Sequence, residues 1–154
     1  MARVAANFMD LVMRVAPAGL SFPPGQAFEH GVAFAAITHG HPSGFLPAGV
    51  LAYLIACLLE GEPLLQGLSR AVDELRRWPG HEETESRIAM ALELASTGAN
   101  HVEAIGRLGG GWVGEEALAI ALYCALAGRE DWDGSLARGR SEQEVCHSQV
   151  QLLL

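Results

Sequence analysis

The chain has 154 residues, a formal net charge of -8, 50% hydrophobic residues and only 18% charged ones. A chain this apolar buries a substantial core and is not intrinsically disordered, since an average globular chain carries about 25% charge. Its ten Lys and Arg residues form no basic stripe and no run interleaved with aromatics, so the concentrated positive charge of a nucleic-acid-binding surface is excluded.

Residues 1–20, MARVAANFMDLVMRVAPAGL, hold a short helical pattern that Pro17 and Gly19 are expected to interrupt. No basic stretch followed by a hydrophobic core and a cleavage site opens the chain, so no secretory leader is expected. FPPG at 22–25 is a strong breaker, and QAFEHGVAFAAITHG after it predicts a helix over about 26–38 despite Gly31. Pro47 fits the first turn of the next helix, where Val50, Leu51, Leu54, Ile55 and Leu58 recur at three-and-four spacing. The longest apolar run, VLAYLIACLL at 50–59, is shorter than the roughly twenty residues a bilayer span needs, so it predicts a buried helix and no membrane partner.

GEP at 61–63 ends that helix, and Leu64, Leu65, Leu68, Val72 and Leu75 carry another as far as WPGH. Residues 82–97 predict an amphipathic helix with Ile88, Leu92 and Ala95 inward and Glu82, Glu83, Glu85, Arg87 and Glu93 toward water. Residues 116–127 are apolar on almost every side and predict a central helix. With no strand alternation and few β-branched residues, the fold class is all-α, an irregular helical array. After REDWDGSL at 129–136 the period is lost, so residues 138–154 form a divergent tail behind a helical domain over 1–137.

Cys57, Cys124 and Cys146 include no CxxC pair, so neither a zinc centre nor a disulfide scaffold is expected, and Cys57 and Cys124 suit small buried hydrophobes. A cytoplasmic setting follows from that cysteine usage.

THGHP at 38–42 puts His39 and His41 in one loop, able to meet a polar ligand, contribute to a metal site, or hydrogen-bond locally around a helix junction. GGGW at 109–112 has exposed backbone donors ahead of a helix N-terminus, yet lacks the Gly-Lys-Ser/Thr ending of a phosphate loop. It reads first as a tight entry in which Trp112 covers the helix end. Glu115 and Glu116 suit the positive end of that helix, and neither is expected to be catalytic. Asp10 and Arg14 are spaced for an ion pair, and Asp131 and Asp133 of DWD for capping or solvation.

Three segments in this order, MRVAP at 13–17, AAITHGHPSG at 35–44 and GGGWVGEEALAIALYCAL at 109–126, resemble the ADP-ribosylglycohydrolase family over roughly residues 12–137. The resemblance implies an orthogonal helical array whose complete members use divalent cations, usually Mg²⁺, to hydrolyse ADP-ribosyl linkages. It places His39 and His41 in the family's TH-x-x-P region on the substrate-facing side, and Gly109 to Trp112 at the turn before a core helix. His39, His41, Gly110, Gly111 and Trp112 are therefore the candidate substrate-cleft residues.

The family's metals are held by an early Ser/Thr-Asp-Asp motif and a late Gly-Asp-x-Asp-Ser/Thr motif, and neither occurs in this sequence. ARGRSEQEV stands about where the late motif is expected, and Asp131 and Asp133 do not replace it. The expectation is a truncated member with no catalytic residue, no metal ligand and no Mg²⁺ bound by this chain alone. Its expected partners are ADP-ribose or an ADP-ribosylated ligand, and a second copy through exposed apolar surface. The alternative is a noncatalytic helical interaction module or an ADP-ribose-binding module.

Overall fold

The computed structural model describes residues 14–98 and 100–127. Asp10, Asp131, Asp133, Cys146 and the expected tail at 138–154 lie outside the described residues. Among the described residues the chain is all-helical: α1 (Ala16–Ser21), α2 (Pro24–Ala36), α3 (Pro42–Leu59), α4 (Leu64–Leu75), α5 (Glu82–Thr97), α6 (His101–Leu108) and α7 (Gly114–Ala127).

Arg14 is helical and Val15 a turn before α1 begins at Ala16, so the chain breaks beside Pro17 as expected, whereas Gly19 lies within α1 and does not interrupt it. Pro17 lies in the first turn of α1, where its missing N–H has no helical partner to lose. Gly19 docks α1 on α3: a Cβ there would stand 2.6 Å from the Ala52 carbonyl oxygen and 2.7 Å from Ile55 Cβ. The next pair, α2 and α3, approaches closely by the same device. A Cβ on Gly31 would lie 2.9 Å from the Ala48 carbonyl, and one on Gly49 would lie 2.7 Å from Val32 Cγ2.

The third helix begins at Pro42 rather than near Pro47, which sits inside it. Pro47 has no N–H to offer the Ser43 carbonyl one turn earlier, a vacancy that matters for the site below. By length and composition α3 could cross a membrane, yet 67% of it is buried inside the fold. It is apolar on every side because α1, α2, α4 and α7 all pack against it.

On the far end of α3, α4 buries Leu68, Ala71 and Leu75. Burial pushes the Cys57 thiol there up to about 11, so it is an inert core group. The Arg76 guanidinium donates to Glu85 Oε1 at 2.8 Å, tying α4 to α5. The latter ends at Gly98, whose φ of 63° is the left-handed turn that stops a helix.

Sequence periodicity gave no expectation of α6. It is opened by Asn100, whose Oδ1 accepts from the N–H groups of Val102 at 3.0 Å and Glu103 at 3.4 Å, a side-chain N-cap. Its His101 ring lies 2.8 Å from the hydroxyl of Tyr123. That tyrosine belongs to α7, where Leu118, Ile120, Leu122 and Tyr123 are each at most 1% exposed. Cys124 on the same helix is buried, as expected of a small hydrophobe.

Candidate functional site: a junction of two helix N-termini

The vacancy left by Pro47 is where the two motif-bearing segments meet. Gly114, the first residue of α7, lies so close to the start of α3 that a Cβ on it would stand 2.9 Å from the Ser43 carbonyl oxygen and 3.3 Å from that of Gly44. No side chain fits between them. The THGHP loop and the GGGW turn, about seventy residues apart in the chain, are thereby joined at their helix entries. A third segment closes the same corner: a Cβ on Gly80 of the WPGH turn would lie 2.8 Å from Pro42 Cβ. His81 Nδ1 then donates to the Trp78 carbonyl at 2.9 Å.

The two candidate histidines are placed differently. His39 is 7% exposed, with Nδ1 2.8 Å from Thr38 Oγ1, and its Cβ presses on Gly44, where an added Cβ would be 2.9 Å away. Burial first, and then the charge of Arg14, lowers its pKa below the usual 6.5, so at neutral pH it is an uncharged imidazole. His41 is exposed and caps α3. Its Nδ1 accepts the Ser43 N–H at 3.3 Å and lies 2.8 Å from Ser43 Oγ. The loop thus sends one ring into the fold and leaves the other at the surface.

At the opposite entry, Gly109 (φ 119°) and Gly111 (φ 70°) take left-handed conformations that disfavour other residues. The Trp112 indole lies along Gly110, with Cδ1 2.6 Å from where a Cβ would be, and the residue is 74% exposed. The expectation that Trp112 covers the helix end is corrected: the indole is displayed to solvent beside the turn.

Glu115, expected only to suit the positive end of α7, is buried. It is only 9% exposed, and its Oε2 is buried without a hydrogen-bond partner among the described residues. Burial, opposed by its own backbone N–H and reinforced by Glu83 and Glu116, raises its carboxyl above the usual 4.5. The neighbouring Glu116 stays at the rim. No signal in GEEAL separates the two, because either could occupy the inward face of α7.

The divalent cation implied by the resemblance does not fit this junction. Mg²⁺ requires several oxygen ligands in near-octahedral order, whereas His39 and His41 offer nitrogens that point into different surroundings. Among the described residues no group of three or more His, Cys, Asp or Glu side chains could hold a metal ion.

No curated protein and no solved structure matches the chain. The family model described as ADP-ribosylglycohydrolase matches residues 2–141. With most of its length matched by that one model and an all-helical fold carrying the motifs, the chain belongs to the ADP-ribosylglycohydrolase family.

Proposed function

We propose that this chain forms a wall of the ADP-ribose cleft of a glycohydrolase fold, binds ADP-ribose or an ADP-ribosylated group, and does not hydrolyse it unaided. The observation that carries binding is the junction of Gly114 with Ser43 and Gly44, which sets two helix N-termini side by side. Their positive dipole ends suit a pyrophosphate. His41 stands at the surface of one entry and the indole of Trp112 at the other. An imidazole donor and an aromatic face suit a ribose hydroxyl and a purine respectively.

Absence of turnover is argued from the chemistry of the bond. Cleaving a glycosidic linkage at ribose needs an oriented water and stabilisation of positive charge on the sugar, which the family's metal cluster and its carboxylates supply. The sequence holds neither Ser/Thr-Asp-Asp nor Gly-Asp-x-Asp-Ser/Thr. Glu115 is no substitute, because its unpartnered oxygen is shut away from solvent. Calorimetric titration with ADP-ribose and with AMP tests the cleft: tighter binding of ADP-ribose supports it, and equal or absent binding of both refutes it.

A second reading, a helical interaction module that pairs with another copy, is favoured by Leu58, Leu59 and Leu65. These are 43%, 61% and 49% exposed around the turn between α3 and α4. Sedimentation of the unmodified chain distinguishes it, since a concentration-dependent dimer lost in Leu59→Glu requires that surface.

A further inference from the structure

The glycine-rich turn that displays Trp112 has no side chain of its own between Leu108 and the indole, so its shape must be imposed from its ends. Both ends run to one residue of α5. Arg87 Nη1 donates to the carbonyl of Leu108, the last residue of α6, at 3.3 Å. Its Nη2 lies 3.7 Å from Glu116 Oε1 in the first turn of α7. The carboxyl of Glu116 in turn fills the space that a side chain on Gly109 would occupy.

These contacts run in series from Arg87 through Glu116 to Gly109, and then through Gly110, along which the indole lies. A guanidinium can hold two acceptors in fixed relation, whereas an ammonium is a single point charge on a flexible stem. Arg87 side-chain exposure is 33% and that of Glu116 is 17%, so the pair is partly shielded from water and from salt.

We infer that Arg87 is a positioning residue: from outside the turn it fixes where the Trp112 indole stands, and so sets how well the purine end of a ligand is held. This rests on the proposed ADP-ribose cleft for its functional consequence, although the effect on the indole needs no ligand.

The experiment uses the full chain with Trp78 and Trp132 replaced by Phe, so that Trp112 alone emits. Acrylamide quenching and emission maximum are read for Arg87→Met, Arg87→Lys and Glu116→Gln, each checked for native helicity by circular dichroism. Arg87→Met is expected to change the quenching constant about twofold or more, with Arg87→Lys between it and the parent, because one of two charge-assisted contacts survives. ADP-ribose affinity should fall about tenfold in Arg87→Met, with no change for ribose 5-phosphate, which lacks the purine. If Arg87→Met does not fold, Glu116→Gln decides by the same quenching criterion. Folded variants with unaltered Trp112 quenching overturn the inference. If the parent binds no ADP-ribose, the cleft is refuted, and the quenching data still decide the role of Arg87.

Discussion

Gly114 and Ser43 are in van der Waals contact through backbone alone, with room of only 2.9 Å between the Ser43 carbonyl and a Cβ placed on Gly114. Pro47 makes this carbonyl available by lacking the N–H that would have bonded it. The pairing is what brings the two sequence motifs together, so its integrity underlies every expectation below.

Gly114→Ala should destabilise the fold by about 1–3 kcal/mol, since a methyl forced against backbone cannot be relieved by a rotamer change. Gly106, in contrast, lies in α6 with nothing near its absent Cβ. Gly106→Ala should stabilise by about 0.5–1 kcal/mol, the gain from restricting the unfolded chain. Urea unfolding of both variants checks the pair, and a neutral Gly114→Ala would mean that the junction is not close-packed.

Trp112→Ala should leave stability within about 0.5 kcal/mol, as expected of an exposed side chain, yet weaken ADP-ribose by about 1–3 kcal/mol through the lost stacking face. Thermal unfolding and calorimetry on the same samples separate these effects. A stability loss with unchanged affinity would make Trp112 a structural residue.

Much of this architecture was legible in the sequence. Three-and-four spacing marked α4 and the body of α3, which bury Leu68 and Leu75, and Leu51 and Leu54; α5 was marked too, yet its buried face is Ile88, Ala91 and Leu94, with Leu92 and Ala95 only partly buried. Apolar character on every side marked α7 as central. Two failures share one physical origin, that local breaker rules ignore tertiary packing. Gly19 docks α1 instead of ending a helix and Pro47 sits inside α3, while α6, opened by a cap at Asn100, is too short to show a period.

At the site, the motifs marked where to look but not which ring is buried. His39 packs its Cβ against Gly44, while His41 caps α3 from the surface. Arg87, expected to face water, turns instead to Leu108 and Glu116, a contact between helices that no spacing within α5 reveals.

Two buried groups give opposite pH dependences. His39 has its pKa lowered below 6.5 by burial and then by Arg14, so below 6.5 the unfolded chain binds the extra proton and stability is lost as pH falls through that value toward the folded one. Glu115 has its pKa raised above 4.5, chiefly by burial. The folded chain then holds the extra proton, and stability is lost as pH rises from 4.5 through the folded value. Glu115→Gln should therefore raise stability at pH 7, because the amide carries no charge to desolvate, and abolish that decline. His39→Gln should abolish the acid-side loss near 6.5. Unfolding free energies from pH 4 to 8 check both signs.

Tyr123→Phe should cost about 1 kcal/mol, the net value of one hydrogen bond, because its hydroxyl is the buried partner of His101 at 2.8 Å. Amide exchange should quicken in α6 before α7, since the short helix depends on that link and on its Asn100 cap. Equal exchange in both helices would deny α6 a separate weak point.

Retention of a ligand-binding wall without the hydrolytic machinery is tested most directly by titrating the unmodified chain with ADP-ribose, once in EDTA and once in Mg²⁺, while assaying release of ADP-ribose from an ADP-ribosylated protein. The expected result is the same saturable binding in both buffers and no release in either. Metal-dependent release, or no binding in either buffer, would contradict it.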